Sequence, residues 1–107
     1  MKYKIITLCG SSKFEQEFAK VQFDLTLQGN IVLSLPLFSQ FNNQQLTQEQ
    51  LSLLSDMHKQ KIDMADEIFV VNPNGYIGTD TAKEIEYAKM KNKIIKYLVE
   101  IKNEQKR

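Results

Sequence analysis

The stretch that decides the fold runs from Asn72 to Ala88 and reads NPNGYIGTDTAKEIEYA. An apolar run typical of a buried strand, Ile68–Val71, precedes it. The stretch begins as a loop containing Gly75 and Gly78 and continues as a helix. Such a strand, loop and helix form a ligand cradle, because backbone N–H groups and the positive end of the helix dipole converge there. We therefore predict the functional site here, with Glu84 facing it from the first turn of the helix.

The composition is that of one ordinary globular domain. The chain has 107 residues, 42% of them hydrophobic and 25% charged, and its formal net charge is +1. This balanced charge argues against nucleic acid or an anionic membrane as a partner. No apolar run reaches the roughly 20 residues of a membrane span, and we expect a cytoplasmic protein without a signal peptide. The single cysteine, Cys9, excludes an intramolecular disulfide and a cysteine zinc cluster.

Four apolar runs predict β-strands, at residues 4–9, 30–35, 67–72 and 94–98. Helical patterns separate them, and this alternation predicts an α/β fold: a flavodoxin- or Rossmann-like three-layer domain. We expect a parallel sheet in the order 2-1-3-4, with helices on both faces. Ligands bind such sheets above the carboxyl ends of the strands, where the strand order reverses. We assign the whole chain, 1–107, to this domain, with a polar tail from about residue 99.

The helices are predicted from their caps and apolar faces. The first can be capped by Ser11 or Ser12 and ends near Gly29, and its apolar face holds Phe14, Phe18, Val21 and Leu25. The second opens with a capping box, Thr47 to Gln50, and its apolar face reads Leu51, Leu54, His58, Ile62 and Ala65. The third runs from about Asp80 to Lys91, and its inward residues are Ala82, Ile85 and Ala88.

Glu84 and His58 are the candidates for catalysis. Two interpretations of Glu84 stay open: Thr81 and Glu84 have the spacing of a structural capping box, yet a carboxylate beside a glycine loop is placed to attack an electrophilic carbon. His58, on an apolar helix face, is either a hydrogen-bonded core residue or part of the pocket wall. It is the only histidine, which argues against a histidine-based metal site. We expect no metal and no cofactor.

A larger set of residues is predicted to contact the substrate. Gly10 to Lys13 resembles a minimal anion-binding turn, although serines also simply cap helices. Tyr76 can stack on a planar ring or pack over the domain, and Asp80 is either a helix cap or a ligand contact. Cys9 is expected to be a buried side chain rather than a reactive thiol. The full predicted substrate-binding set is Cys9, Gly10, Ser11, Ser12, Lys13, Asn72, Asn74, Gly75, Tyr76, Gly78, Thr79 and Asp80.

Three motifs occur in a characteristic order: Cys9–Ser12 after the first strand, Ile62–Ile68 leading into the third, and Glu84–Ala88 in the third helix. This order resembles the nucleoside 2-deoxyribosyltransferase-like superfamily, which includes the 2'-deoxynucleoside 5'-phosphate N-hydrolases. The similarity spans nearly the whole chain. The loop at residues 75–79 is more similar still to a small bacterial and phage branch of that superfamily.

The resemblance implies a mechanism. In that superfamily a glutamate before a Tyr-Ala pair attacks the anomeric carbon of a nucleoside and displaces the base, and the glycosyl group then passes to water or to another base. The matching residue here is Glu84, and the turn from Gly10 to Lys13 would hold the sugar or its 5'-phosphate. The resemblance also implies a homodimer or higher homo-oligomer, in which a neighbouring subunit closes the pocket.

Two positions depart from the family pattern. An aspartate often stands eight residues before the aspartate of the Ala-Asp pair, and that position is His58. The transferases also carry an aspartate six residues before the catalytic glutamate, where this chain has Gly78. Either His58 replaces the acid as proton donor to the leaving base, or the pocket has changed its substrate or lost catalysis.

Three hypotheses for the function follow. The leading one is an N-glycosidic-bond enzyme, a hydrolase or glycosyl transferase, that acts on a nucleoside, nucleotide or derivative. The alternative is a non-catalytic module that binds or senses a nucleotide-derived ligand in the same pocket. The third is an interaction subunit that uses Phe38 and Phe41, which belong to a predicted loop at residues 37–46. Those phenylalanines are equally consistent with a lid or with packing under the domain.

Overall fold

The structure is a computed structural model that describes residues 2–36 and 45–100. The strands are β1 (Lys4–Gly10), β2 (Asn30–Leu33), β3 (Glu67–Val71) and β4 (Ile94–Tyr97). The helices are α1 (Glu15–Leu27), α2 (Gln48–Met64) and α3 (Thr79–Met90). Short 3-10 turns lie at Ser12–Phe14 and Pro73–Gly75. The loop prediction for Phe38 and Phe41 and most of the predicted tail fall outside the described residues.

The four strands form one parallel sheet in the order β2-β1-β3-β4, which confirms the predicted fold. In the central pair, Leu8 lies opposite Phe69 and Gly10 lies opposite Val71. The strand order reverses between β1 and β3, because β1 leads to β2 on one side and β3 leads to β4 on the other. The carboxyl ends of β1 and β3 therefore meet at the point where such sheets bind ligands.

The sheet separates two apolar cores, as predicted for helices on both faces. Under α1 lie the buried side chains of Ile6, Leu8, Phe18, Val21 and Val71. Under α2 and α3 lie those of Cys9, Ile62, Ile68, Val70, Ile85 and Ala88. Because successive strand residues point to opposite faces, Leu8 belongs to the first core and Cys9 to the second. Cys9 thus faces the two helices that carry His58 and Glu84.

The start of α3 differs from the prediction. Its N-cap is Gly78, which offers no side chain to cap with, and the first helical residue is Thr79. Thr81 therefore lies inside the helix, where it is buried, and Asp80 is in the first turn rather than at the cap. The predicted capping box of Thr81 and Glu84 is wrong, and Glu84 lies in the second turn, not the first.

Two predicted inward residues are exposed. The buried stripe of α3 runs through Thr81, Ile85 and Ala88, so Ala82, one position farther around the helix, faces outward. Leu51 is 47% exposed, because the buried residues of α2, His58 and Ile62, lie in its C-terminal half.

The predicted start of α2 is confirmed. Gln50 donates its backbone N–H to Thr47 Oγ1 at 3.1 Å, and Thr47 donates its own to Gln50 Oε1 at 2.9 Å. No helix within residues 2–36 and 45–100 combines the length and apolar character needed to cross a membrane.

Candidate active site

The fold brings three chemically active side chains together, from β1, α2 and α3. Cys9 Sγ lies 3.4 Å from His58 Nε2, and the same nitrogen lies 3.5 Å from Glu84 Oε1. One ligand-capable atom of each residue lies within 4.8 Å of the others. We call this group the Cys9–His58–Glu84 cluster. It joins both predicted catalytic residues to one residue of the predicted substrate-binding set.

Local structure places each member. Cys9 is the penultimate residue of β1, so it stands at the carboxyl edge of the sheet. His58 precedes the buried Ile62 by one helical turn and thus points to the same core. Glu84 directly precedes Ile85 and lies at the edge of the buried stripe of α3, which leaves 28% of its side chain exposed. The cluster is therefore mostly buried and open to solvent only on the Glu84 side.

Burial, rather than charge pairing, sets the proton affinities of the cluster. Burial raises the pKa of Glu84 to about 7, although the Cys9 thiol opposes that shift and Asp80 adds a little to it. Burial also lowers the pKa of His58 to about 4, and Lys61 lowers it further. The pKa of the Cys9 thiol is raised well above its ordinary value, mainly by burial and then by Glu84. Near neutral pH, the thiol and imidazole are uncharged and the Glu84 carboxyl is close to the middle of its titration.

The contact between His58 and Glu84 is consequently not an ordinary salt bridge. Both pKa shifts favour the uncharged forms, and the separation of 3.5 Å is long for a charge-assisted hydrogen bond. Glu84 Oε1 is buried and has no hydrogen bond of standard geometry among the described residues, although the Cys9 thiol lies near enough to Glu84 to hold its pKa down by hydrogen bonding. Native proteins seldom leave a buried polar atom poorly partnered, so this oxygen is suited to a further partner from outside the chain.

The turn that follows Cys9 depends on Gly10. This glycine has φ = +151°, and a Cβ atom added to it would lie 2.7 Å from the carbonyl oxygen of Val71. A side chain at this position would thus collide with the end of β3. Because Gly10 has no side chain, β1 and β3 stay close to each other up to their carboxyl ends. This keeps Cys9 beside the other cluster residues.

Lys13 and Tyr76 connect the two predicted ligand-binding segments. The Nζ atom of Lys13 lies 3.9 Å from the centroid of the Tyr76 ring, and the Phe14 ring meets that ring edge-on at 5.7 Å. Ser11 caps the 3-10 turn by accepting a hydrogen bond from the backbone N–H of Lys13. The side chain of Tyr76 is half-exposed, so the rim of the site presents a cation and an aromatic ring side by side.

Asn72 has a different environment from the rest of the predicted substrate-binding set. It is fully buried, and its amide both donates to the carbonyl oxygen of Val99 and accepts from the Val99 N–H, each at 2.9 Å. Its side chain is thus engaged with the segment after β4. The remaining predicted residues are exposed or half-exposed: Ser12, Asn74, Gly75, Gly78, Thr79 and Asp80.

Sequence reasoning did not predict the pairing of Cys9 with His58, which are 49 positions apart. A signal was nevertheless present in β1. If Leu8 packs under the first helix, strand alternation directs Cys9 to the opposite face, where the second and third helices carry the chain's histidine and a glutamate.

No protein-family model matches the chain, and no match was found among the curated proteins. The Cys9–His58–Glu84 cluster and its position at the carboxyl edge of the sheet are therefore the observations that bear on function.

Proposed function

We propose that the protein is an enzyme of N-glycosidic bonds in nucleosides or nucleotides, with Glu84 as its nucleophile. The observation that supports this proposal is the contact of Glu84 with His58 at 3.5 Å, beside the carboxyl ends of β1 and β3. A carboxylate with a proton-carrying neighbour, open to solvent on one side, has the composition of a glycosyl-transfer site. The motif order that resembles the deoxyribosyltransferase-like superfamily supports the same role for Glu84.

The proposed reaction has two steps. In the first, the ionised carboxylate of Glu84 bonds to the anomeric carbon, and the base leaves with the electron pair of the broken C–N bond and takes up a proton. In the second, water or another base attacks the same carbon, the glycosyl–Glu84 ester bond breaks, and the carboxylate is regenerated. Partial burial favours the first step, because few hydrogen bonds must be removed from the carboxylate before it attacks.

His58 acts in this scheme as a neutral hydrogen-bonding group. Its pKa of about 4 keeps the imidazole uncharged near pH 7, whereas Glu84, with a pKa of about 7, is ionised in about half of the molecules and attacks as the carboxylate. The neutral imidazole can hydrogen-bond to the departing base, which takes up its proton from water. We therefore assign to His58 the role of the family's missing aspartate.

The rim residues supply binding contacts in this proposal. Lys13 is the cation nearest to the turn after β1 and is suited to a 5'-phosphate, while the exposed face of Tyr76 is suited to stacking on a base. The preferred substrate of this site is therefore a nucleoside 5'-monophosphate. Replacing Lys13 with Met should raise KM for monophosphates more than for the corresponding nucleosides.

The decisive experiment is a chromatographic assay of free base. The purified protein is incubated with ribo- and deoxyribonucleosides and their 5'-monophosphates, beside the variants Glu84→Ala and Glu86→Ala. Glu86 lies on the same helix but is exposed, so it controls for the loss of a carboxylate from α3. Base release by the wild type and by Glu86→Ala, but not by a folded Glu84→Ala, is expected. Equal release by all three proteins would overturn the assignment of Glu84.

One observation favours a second candidate, a non-catalytic nucleotide-binding module. With a pKa of about 7, Glu84 is largely protonated in mildly acidic solution, and a protonated carboxyl donates a hydrogen bond to a ligand instead of attacking it. A ligand that binds the folded protein raises its melting temperature. Under this alternative, a nucleotide would stabilise the wild type and Glu84→Gln equally, and neither protein would release base.

We also infer that the protein acts in the cytoplasm as a homodimer or higher homo-oligomer. Support for self-association comes from the stretch of α2 from Leu51 to Met57, where the large apolar side chains of Leu51, Leu53 and Met57 are 47%, 56% and 43% exposed. Exposed apolar side chains grouped on one element are common at subunit contacts. Light scattering coupled to size exclusion should give at least twice the chain mass of 12.4 kDa. A monomer at all concentrations would contradict the inference.

A further inference from the structure

The Cys9–His58–Glu84 cluster has a composition that its proposed catalytic role does not require. Glycosyl transfer uses a carboxylate and a proton donor, whereas this cluster adds a buried thiol in contact with the imidazole. Thiolate, imidazole and carboxylate are the three protein ligands of Zn²⁺. We propose that the cluster is a Zn²⁺ site, with one ligand each from β1, α2 and α3 and a fourth position left for a molecule from solution.

The distances agree with tetrahedral zinc coordination. Bonds of about 2.0–2.1 Å to nitrogen or oxygen and about 2.3 Å to sulfur place the ligand atoms of a tetrahedral site about 3.3–3.6 Å apart. Cys9 Sγ and His58 Nε2 are 3.4 Å apart, and His58 Nε2 and Glu84 Oε1 are 3.5 Å apart. One ligand-capable atom of each residue lies within 4.8 Å of the other two, which bounds the third separation, between Cys9 and Glu84. Two of the three separations thus match a tetrahedral site, and rotation of the Cys9 or Glu84 side chain would bring the third into range.

The hydrogen bonding of Glu84 supports the same site. Its Oε1 atom is buried and has no hydrogen bond of standard geometry among the described residues, yet it points toward the cluster rather than to solvent. The oxygen that lacks such a bond is also the carboxylate atom closest to His58. A cation bound between the three side chains would give this oxygen a stronger partner than the weak thiol donor of Cys9.

The ligand types select among cations. Mg²⁺ and Ca²⁺ prefer oxygen ligands, so a site with one sulfur and one nitrogen should bind them poorly. Zn²⁺ accepts all three ligand types and tolerates a four-coordinate geometry with an open position. Coordination requires the thiolate form of Cys9, so the proton of the thiol leaves to solvent as the Zn–S bond forms.

Zinc would also regulate the site, a consequence that rests on the proposed function. Glu84 Oε1 cannot bond to zinc and attack an anomeric carbon at the same time. Occupancy by Zn²⁺ should therefore inhibit base release, and removal of zinc with a chelator should restore it. The binding of zinc itself needs no substrate and can be measured independently.

The test uses the full chain, freed of metal with a chelator that is then removed. We expect one Zn²⁺ per chain by titration calorimetry, a rise in melting temperature with Zn²⁺ but not with Mg²⁺, and a thiolate-to-metal charge-transfer band with Co²⁺. Cys9→Ser and Glu84→Gln should each weaken Zn²⁺ binding at least tenfold, and Cys9→Ser should lose the Co²⁺ band. Glu86→Gln is the matched control and should bind Zn²⁺ like the wild type. If Cys9→Ser fails to fold, Glu84→Gln alone provides the test, because the Glu84 side chain is partly exposed and its replacement should be tolerated.

Two results would overturn the zinc site: no binding of one Zn²⁺ per chain by the wild type, or unchanged binding in folded Cys9→Ser and Glu84→Gln. Comparison with the base-release assay separates the two proposals. Zinc binding by a protein that releases no base when metal-free supports the site and rejects the enzyme. If the protein releases base but neither binds Zn²⁺ nor is inhibited by it, the zinc site is rejected and the enzyme is not.

Discussion

Two buried glutamates lie at opposite edges of the sheet in different surroundings. Glu67 opens β3 at the amino edge, is 1% exposed, and contacts Lys4 Nζ at 2.7 Å and Lys96 Nζ at 3.5 Å. Glu84 lies at the carboxyl edge, where its near neighbours are a thiol and a neutral imidazole. Burial is more complete for Glu67, and within residues 2–36 and 45–100 only Glu67 of these two has lysine counter-charges.

The comparison shows that the partners of a buried carboxylate decide its role. The hydrogen bond and the charge of Glu67 raise the pKa of Lys4, as expected for a lysine beside a carboxylate. Among the residues that the structure describes, no such cation lies beside Glu84, and burial raises the pKa of Glu84 instead. Glu67 is thus an anchor of the strand ends, whereas Glu84 keeps a proton affinity suited to chemistry near neutral pH.

Replacing Glu84 or Glu67 with glutamine should distinguish the two roles, and it is the change for which we expect the largest effect on activity. Under the proposed function, Glu84→Gln removes the nucleophile, and base release should fall by about 10³-fold or more with little loss of stability. Glu67→Gln should keep activity within a few-fold but lower the melting temperature, because an amide pairs weakly with two lysines. Base-release rates and thermal melts of both variants measure the contrast. A Glu67→Gln variant that is stable but inactive would contradict it.

Removing the counter-charges should turn Glu67 into an uncompensated buried carboxylate. In the double variant Lys4→Met, Lys96→Met, the charge of Glu67 has neither of its two cations, a situation that is strongly destabilising. We expect the melting temperature at pH 7 to fall by roughly 10 °C or more. Adding Glu67→Gln to the double variant should recover part of that loss. If the third substitution lowers the melting temperature further, Glu67 is not held by charge pairing.

The stability of the metal-free protein should depend on pH in opposite ways when either catalytic candidate is removed. The depressed pKa of His58 contributes stability that is present above pH 6.5 and lost as the pH falls through about 4. The raised pKa of Glu84 contributes stability that is present below pH 4.5 and lost as the pH rises through about 7. The two effects largely cancel in the wild type between those values.

The single variants should expose each effect. Glu84→Gln retains only the His58 contribution and should gain stability from pH 4 to 6.5, whereas His58→Gln should lose it from pH 4.5 to 7. Each change should be on the order of 2–3 kcal/mol. Denaturant melts are taken with a chelator present. Differences from the wild type remove the contributions of the facing groups Cys9, Lys61 and Asp80 and report the group that was deleted, so the difference for Glu84→Gln should rise from pH 4.5 to 7 and that for His58→Gln should fall from pH 4 to 6.5. Slopes of the same sign in both variants would contradict the assigned shifts.

The smallest predicted effect concerns Lys61. Its positive charge lowers the pKa of His58, but by less than burial does. Lys61→Met should raise the pKa of His58 only slightly above its value of about 4, still well below 6.5. His58 is the only histidine, so one set of imidazole proton resonances reports its titration. Lys59→Met, a substitution on the same helix, should leave that titration unchanged. A His58 pKa near 6.5 in the wild type would show that the imidazole is solvated.

The sequence predicted the sheet well because its signals are local. Apolar, β-branched runs mark β1 and β3, and the Thr47–Gln50 capping box marks the start of α2. The N-cap of α3 was misplaced because Gly78 caps the helix without a side chain, so the polar residues after it resembled a cap. The predicted start, about Asp80, is within one residue of Thr79, but the cap itself was missed, so Glu84 lies in the second turn rather than the first.

The cluster itself could be predicted only in part. Glu84 and His58 were both candidates, but their contact depends on how far α2 and α3 extend over the same face of the sheet. The Glu67 ion pairs are likewise non-local, since Lys4 and Lys96 come from the two strands that flank β3. Such contacts leave no periodic signal in the chain, because they depend on strand order and register rather than on the spacing of neighbours.

The side chain of Asn72 has a mechanical consequence. By pairing with both backbone groups of Val99, it imitates one more rung of the β-ladder beyond the last residues of β3 and β4. This rung joins the root of the 72–78 loop to the chain that leaves β4, across 27 positions of sequence. The loop and that departing segment should therefore open and close as one unit. The Val99 amide would then exchange its hydrogen at the same slow rate as the interior of β3, although the residue lies near the surface.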